Sequence, residues 1–508
     1  MRRREFFKLV GLTAAVGAAA SLSACGASPV KTTASSDGEQ SVVGQPQVLF
    51  SAETDVLIVG SGVAGLSAAM APVERGHKVM VAEKLGVLGG ESYDSNAILR
   101  VAGSQLQKDA GINPNVDDLW AVRKKELQSV GVSDVDFAKR LFYKAPEWVD
   151  KLRSDYGGQF SDPSAYAAEG LNEDIVLPKN GIADMESIMV PLRDKLAARG
   201  VVFNTGYRAT AFVVDEAGLA CGMRFSVQKD GSQTVDVRAK RVVLATGGFT
   251  SNQALVHDYL PNVQYVGCYT TASMGEGQQL AQSIGGELSD MGIVTPLIGD
   301  IPQVSAWGLF APVVAVDARG SRFAREDAEN DVATACFDDG RGYWWTVFDG
   351  QMSSSGQSRS AAQVTSKNAK RLIGPVNSLD ELAQAMGVSA EVLKGTFARY
   401  DAAVEAKSDG DFGRTGHLDK LNPPYYAIKQ FPVRFRTRGG AKVDKRGRLQ
   451  SAAGIAVGNV HCCGAVASVA ASGLATNGAC GMIVGEAVAD ALDAIRERTN
   501  AQAADPRE

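Results

Sequence analysis

Residues 54–84, TDVLIVGSGVAGLSAAMAPVERGHKVMVAEK, constrain the fold of this chain more than any other stretch. Asp55-Val56-Leu57-Ile58-Val59 is a short apolar run of the kind that forms a buried parallel strand. Gly60, Gly62 and Gly65 then fill G-x-G-x-x-G, with Val63 and Ala64 before the last glycine. The first glycine allows a tight turn, the second lets backbone approach a pyrophosphate, and the third lets the helix pack close to the strand. The pattern predicts a helix over Leu66 to Arg75, whose N-terminal amides face phosphates, and a second strand at Val79 to Ala82. Glu83 ends that strand about 20 residues past the turn, where a carboxylate accepts ribose hydroxyls. Glycine pairs alone also close ordinary turns. With both strands, the helix and the acid in place, the segment predicts a bound dinucleotide.

The N-terminus reads as an address rather than as part of the fold. Arg3-Arg4-Glu5-Phe6-Phe7-Lys8 looks like a twin-arginine export signal, and Leu9 to Ala24 is a small-residue apolar run too short to span a bilayer comfortably. Leu22-Ser23-Ala24-Cys25 resembles a bacterial lipoprotein cleavage box with Cys25 as the lipidated residue. A basic N-terminus on an amphipathic helix is the plainer reading of the same residues. The signal reading places the protein on the outer side of the bacterial cytoplasmic membrane, exported folded and held there by acyl chains. Residues 26–50 then form a polar tether. After the signal no apolar stretch reaches the about 20 residues of a membrane span.

The rest of the chain, about 450 residues, is long enough for two domains with large cores. A formal net charge of -5, with no basic run after the signal, argues against a nucleic-acid partner. The cysteines after Cys25 fall in neither C-x-x-C nor C-x-x-C-H, so no attached c-type haem or zinc ribbon is expected. His77, His257, His417 and His461 give no metal-ligand spacing, and no metal is expected. The chemistry therefore has to come from a cofactor.

Three further segments read as parts of the same nucleotide fold. Leu88 to Asn96, LGGESYDSN, follows the acid after a brief loop. Lys240 to Phe249, KRVVLATGGF, is a buried strand entering a glycine turn, and Gly458 to Gly464 repeats that pattern near the C-terminus. A helix from about Gly478 to Arg496 follows, and residues 497–508 read as a disordered tail. Residues 286–422 lack nucleotide motifs and read as an inserted second domain, with the chain returning to the first at Pro423-Pro424-Tyr425-Tyr426-Ala427. Ligands commonly sit at such domain interfaces.

DVLIVGSGVAGLSAA, VAEK, GGESYDSNA, VVLATGGFTSN, MGEGQQLAQSIGG, VDARGSRFAREDAEND, PPYYAIK and TRGGAKVD, in that order, resemble the flavoproteins of fumarate reductase and succinate dehydrogenase. That family includes urocanate reductases and 3-ketosteroid dehydrogenases. The resemblance implies an α/β fold: a Rossmann-type FAD-binding domain in two halves, 51–285 and 423–496, with an inserted α+β capping domain. It implies FAD as cofactor and hydride transfer to or from a carbon beside an electron-withdrawing group. By resemblance Gly60, Gly62, Val63, Ala64, Gly65, Glu83, Lys84, Gly90, Ser92, Ser95, Thr246, Gly247, Gly248, Gly464 and Ala465 contact FAD. Members with covalent flavin use a histidine near GGESYDS; none occurs here, so non-covalent FAD is expected.

The chain departs from the family where substrate is handled. Fumarate reductases place a proton-delivering arginine after R-F-x-x-E; aligning Arg322 to Glu326 puts Asn330 there. An amide is no general acid at neutral pH, and such a step contributes typically about 10²–10⁴-fold. The family's dicarboxylate-binding histidines and late arginine are missing too; Phe435 or Arg436 takes one of these positions, and Val469 to Leu474 are small or apolar. Candidate catalytic groups are therefore Tyr343, Arg436, Glu329 and Asn330. Core packing explains Tyr343 as well, and a charged helix face explains Glu329. These residues predict an exported FAD reductase of an activated C=C bond, an enone or non-dicarboxylate enoate. A separate cytochrome or FMN protein would supply its electrons. Two alternatives stay open: a 3-ketosteroid-type dehydrogenase, and a flavin electron-transfer or ligand-binding lipoprotein without its own reductase activity.

Overall fold

Apolar strands bracket the glycine turn as the sequence predicts. The chain runs β1 (Ala52–Val59), α1 (Val63–Glu74) and β2 (Val79–Glu83) without interruption. This computed structural model describes residues 49–508 except 133, 165–172, 228–231, 294–296, 329, 351–365, 469–472 and 505–508. The export signal with Cys25, nearly all of the tether, and Glu329 lie outside the described residues. After β2 come α2 (Val135–Asp155), α3 (Glu186–Ala198), β3 (Val202–Thr205), β4 (Tyr207–Val214), β5 (Ala220–Val227), β6 (Gln233–Leu244) and α4 (Glu276–Ser283). Then follow β7 (Val314–Val316), α5 (Asp331–Asp338), β8 (Trp344–Asp349), β9 (Leu372–Val376), α6 (Leu379–Met386), α7 (Ala390–Ala406) and β10 (Tyr425–Gln430). The last elements are β11 (Arg448–Gln450), β12 (Ala456–Cys462) and α8 (Leu474–Ala504).

The main sheet has 8 strands, with the order β11-β12-β6-β1-β2-β3, β5 pairing with β6 and β4 with β5. β12, β6, β1, β2 and β3 are mutually parallel. β1 lies in the middle, which is why Val56, Leu57 and Ile58 are fully buried and read as a continuous apolar run. Parallel pairing also sends the turns after β1, β6 and β12 off the same edge. This topology gathers segments that lie some 200 and 400 residues apart in sequence into one place.

Glycines set how tightly the helices cover this sheet. On α8, Gly478, Gly481 and Gly485 share one face. A Cβ at Gly481 would lie 2.1 Å from the Ala64 carbonyl oxygen, and one at Gly485 would lie 2.5 Å from that of Ala68. A Cβ at Gly478 would lie 2.2 Å from the Trp148 indole, whose Nε1 donates to Ser67 Oγ at 2.8 Å. Gly481 and Gly485 thus bring α8 into backbone contact with α1, while Gly478 makes room for Trp148 of α2, and together they fix the helix that carries the phosphate-binding turn. α8 does not stop at Arg496 but continues to Ala504, so 497–504 is a correction to the expected disordered tail. Ala501, Ala503 and Ala504 are strong helix formers, and no breaker occurs before Pro506.

A second, antiparallel sheet has the order β7-β8-β10-β9. α6 and α7 bury Leu382, Ala383, Leu393 and Phe397 with Val314, Val316 and Val347 from this sheet. β10 pairs with β8 along its whole length, Tyr425 opposite Asp349 through Gln430 opposite Trp344. Tyr425 to Gln430 therefore belong to the second sheet, and the chain leaves it after Gln430 rather than at the expected Pro423 to Ala427. A buried ion cluster joins the segments on either side of α5 to α7. Arg322 places Nε 2.8 Å and Nη2 2.7 Å from the two Glu326 oxygens, and Nη2 2.8 Å from Asp409. Arg414 donates to Glu326 at 3.2 Å and to the carbonyls of Val313, Gly416 and Ala311. Among the described residues no helix is long and apolar enough to cross a membrane.

Candidate cofactor cleft

The turns after β1, β2, β6 and β12, with the loop before α4, line one cleft. The glycine turn is built by contact. Gly60 has φ +109°, and a Cβ there would lie 2.3 Å from the Ala245 carbonyl oxygen. A Cβ at Gly65 would lie 2.0 Å from the carbonyl oxygen of Gly60 itself. Gly62, the N-cap of α1, provides no capping side chain, and no acidic residue occupies the first helical turn. The positive end of the helix thus opens on the cleft, where an anion is favoured. Ser92 Oγ accepts the Val63 N–H at 3.0 Å and ties the next loop to the helix start.

Glu83 is held in place by its own neighbourhood. Its Oε2 accepts the amide and hydroxyl of Ser61 at 3.0 and 2.7 Å, and its Oε1 accepts the Leu85 amide at 2.9 Å. A carboxylate accepts about four hydrogen bonds, which leaves one position on Oε1 for a ribose hydroxyl. Ser61 Oγ also accepts the Gly89 amide at 2.9 Å, so one serine joins both glycine loops and the acid. Lys84 is less available than the resemblance implies. Its ammonium lies 2.5 Å from Glu276 and 2.7 Å from the Ala272 carbonyl, while Arg208 holds the other Glu276 oxygen at 2.8 Å.

Gly60, Gly62, Val63, Ala64, Glu83, Lys84, Gly90, Ser92, Ser95, Thr246, Gly247 and Ala465 line the cleft. Gly65, Gly248 and Gly464 are not among the lining residues, and each makes a close packing contact. Gly248 leaves room for Thr437 Oγ1, which would lie 2.5 Å from a Cβ there and accepts the Phe249 amide at 3.2 Å. This contact sets the 435–438 loop on the cleft wall. Gly464, at φ +73°, abuts Ala64, where a Cβ would be 2.7 Å away. Thr246 Oγ1 and Asn477 Oδ1 are buried without a hydrogen-bond partner, and both residues line the cleft. Two unsatisfied polar atoms, an uncapped helix start and a poised carboxylate fit a dinucleotide cofactor.

The opposite end is lined by Asn96, Ile98, Tyr269, Phe435, Arg436 and Leu474. The Arg436 guanidinium lies 4.2 Å over the Phe435 ring, which packs edge-on against Tyr269. Burial pushes the nearby Glu91 carboxyl above its usual range, despite the hydroxyls of Ser273 and Thr270 and the charges of Lys84 and Arg436. Behind the wall, burial and the charges of Arg123 and Arg436 push Arg438 down to about 10.

Of the three catalytic candidates among the described residues, Arg436, Tyr343 and Asn330, only Arg436 lines the cleft. Tyr343 is a correction. It does not line the cleft, and its half-buried ring packs at the edge of the second sheet's core against Trp345 and Phe431, with the Lys429 ammonium 4.1 Å from its centre. Asn330 is the N-cap of α5 and does not line the cleft. Glu329 lies outside the described residues, as do Val469 to Ala471. Ser61, Ser273, Glu276 and Asn477 are lining residues that the sequence reading passed over. Glu276 and Asn477 stand in segments that align with the family, MGEGQQL and ATNG, but serines carry no pattern of their own.

The model of the FAD binding domain family matches residues 55–482. The NADH:acrylate oxidoreductase of Vibrio harveyi is 25% identical over 477 residues, which cover 81% of this chain and 47% of that protein. The chain thus spans about half the length of that relative. The urocanate reductase of Eggerthella lenta is 25% identical over 438 residues, 82% of this chain and 70% of that protein. Among solved structures, the open conformation of a flavocytochrome c3 fumarate reductase superimposes with a TM-score of 0.68 at 23% identity. The match covers 87% of this chain and 79% of that one.

Proposed function

The chain belongs to the FAD binding domain family across residues 55–482, and from that premise we propose that it reduces an activated carbon–carbon double bond. FAD is its cofactor. The observation that carries the reading is the far end of the cleft, where Arg436 stands among Ile98, Phe435 and Leu474. One cation in an apolar wall suits a substrate with a single electron-withdrawing group, a monocarboxylate enoate or an enone. The names of the relatives, which act on acrylate and urocanate, support this class.

Bound FAD supplies hydride chemistry; the protein's residues bind, orient and exclude water. Gly60 to Val63 would hold the pyrophosphate, Glu83 the ribose, and Thr246 and Asn477 polar groups of the cofactor. Residues 286–422 and β10 would cap the cleft opposite the FAD-binding part, which is assembled from both sides of them. Electrons would come from a separate cytochrome or FMN protein. None of the described lining residues is a histidine, so acid precipitation should release the flavin intact. With reduced viologen under anaerobic conditions, acrylate-type monocarboxylates or enones should turn over at least about tenfold faster than fumarate. Each charge-assisted bond missing from a dicarboxylate clamp is worth roughly 1.5–3 kcal/mol. Turnover of none of these alkenes, with oxidation of a saturated ketone instead, would reverse the reading toward a dehydrogenase.

The N-terminal residues support export and anchoring at Cys25 on the outer face of the cytoplasmic membrane. Two or more acyl chains, at about 0.8 kcal/mol per buried methylene, make a lasting anchor. Cys25→Ala should move the protein from the membrane pellet to the soluble fraction of the same compartment; wild-type protein already soluble there would refute the anchor.

A further inference from the structure

Glu91 lies in a wall between two cavities. It lines the cofactor cleft and, with Ser95 and Tyr269, also a second cavity whose other walls include Asp94, Thr271 and Lys367. Reduction of a carbon–carbon double bond consumes two electrons and two protons. The hydride carries one proton with both electrons, so a protein group must hold the second.

The titratable residues that line the cleft can be sorted by their partners. Lys84 and Arg208 both pair with Glu276 at one end, with Tyr207 beside them. Glu83 is fixed at the ribose position by Ser61 and Leu85. Burial raises the Cys463 thiol well above its ordinary value. Burial also pushes Tyr269 up to about 12, and its hydroxyl donates to the Asp94 carbonyl. Arg436 stays protonated throughout. Glu91 remains. The loop before α4 presents Thr270 and Ser273 to it, the end of β2 presents Lys84, and the 435–438 loop presents Arg436. Tyr269 faces it from the same loop as Thr270.

Resting on the reductase reading, we propose that Glu91 is the proton-holding residue of this cleft, loaded from solvent through the second cavity as an electron pair arrives. An O–H bond forms on the Glu91 carboxylate with a solvent proton. It breaks when that proton passes to the carbon beside the one that receives hydride, which restores the carboxylate. Glu91 is neither oxidised nor reduced.

The test is an anaerobic spectroelectrochemical titration of the flavin absorbance of the holoprotein, repeated across a pH range that extends above the ordinary carboxylate range. Wild type, Glu91→Gln and Ser273→Ala are compared. In the window where Glu91 titrates, the wild-type equilibrium should shift by an extra tenfold per pH unit relative to Glu91→Gln. That is about 30 mV per pH unit for a two-electron couple. Ser273→Ala removes a hydroxyl that favours the charged carboxylate, so its window should move to higher pH. With flavin content unchanged, Glu91→Gln should reduce an enoate or enone about 10²–10⁴-fold more slowly, and Glu91→Asp should recover part of the rate. A flavin-replete Glu91→Gln with the wild-type potential slope and the wild-type rate would overturn the proposal. If Glu91→Gln fails to load flavin, an unmoved window in Ser273→Ala overturns it equally. If wild type reduces no alkene, the reductase reading fails, and the potential slopes still decide whether Glu91 holds the proton.

Discussion

Gly65→Ala should yield a folded protein that purifies with little flavin and binds added FAD roughly 10- to 100-fold more weakly than wild type. The new methyl would lie 2.0 Å from the Gly60 carbonyl oxygen and 3.3 Å from Ala245 Cβ. Neither can give way like the tip of a flexible side chain. The Gly60 carbonyl belongs to the turn itself, and Ala245 is held by its amide, which donates to the Val59 carbonyl at 2.8 Å. The start of α1 must therefore swing away from β1 and carry its amides off the pyrophosphate position. Overpacking of this kind costs about 1–3 kcal/mol. Titrating apoprotein with FAD and following flavin fluorescence measures the loss; affinity within about threefold of wild type would contradict the packing argument. Gly395→Ala provides a control of opposite sign. That glycine lies inside α7, and a Cβ there meets nothing within 4 Å. It should stabilise the protein by up to about 1 kcal/mol.

Arg414→Met should lower the stability of the holoprotein by roughly 3–5 kcal/mol. The side chains of Arg414, Arg322, Glu326 and Asp409 are 0%, 5%, 2% and 1% exposed. Two cations and two carboxylates balance inside the fold, and Arg414 also satisfies three backbone carbonyls. Removing it leaves Glu326 short of a partner and strands those carbonyls, which is far more costly than losing a surface pair. Arg325, three residues from Arg322 and 39% exposed, donates to Asp327 at 2.9 Å. Arg325→Met should cost no more than about 1 kcal/mol. Urea midpoints of the two variants separate the cases; equal midpoints would show that burial does not govern this cluster.

The two arginines also mark what the sequence could convey. Gly60, Gly62, Gly65 and Glu83 were legible because each answers a demand of a single local unit of strand, turn, helix and strand. The KRVVLATGGF strand was legible for the same reason. Tyr343 was not. Its place at the edge of the second sheet's core depends on Trp345 and Phe431, and on Lys429 from a strand more than 80 residues away. Nothing in RGYWWTVF shows which face of the strand points at the cleft. The return of the chain was placed at Pro423 because nothing in YYAIKQ says which sheet it joins, and only pairing with β8 assigns it. In sequence Glu91 is one more residue of the GGESYDS glycine loop. Its meaning came from Ser273 and Thr270, about 180 residues further on, and from a cavity that no spacing encodes. Ser61 shows the same limit at short range. It is an ordinary residue between two glycines until the fold places Glu83 and Gly89 around its hydroxyl.

The central claim is that this FAD-binding cleft delivers electrons to an activated alkene. The most direct measurement is anaerobic single-turnover reoxidation of the photoreduced holoprotein, followed by flavin absorbance, against enoates, enones, quinones and a dye. The account predicts rapid, stoichiometric reoxidation by a monocarboxylate enoate or an enone, with one saturated product formed per flavin and slower reaction with fumarate. Reoxidation by quinone or dye alone, with every alkene inert, would contradict it and leave an electron-transfer protein in its place.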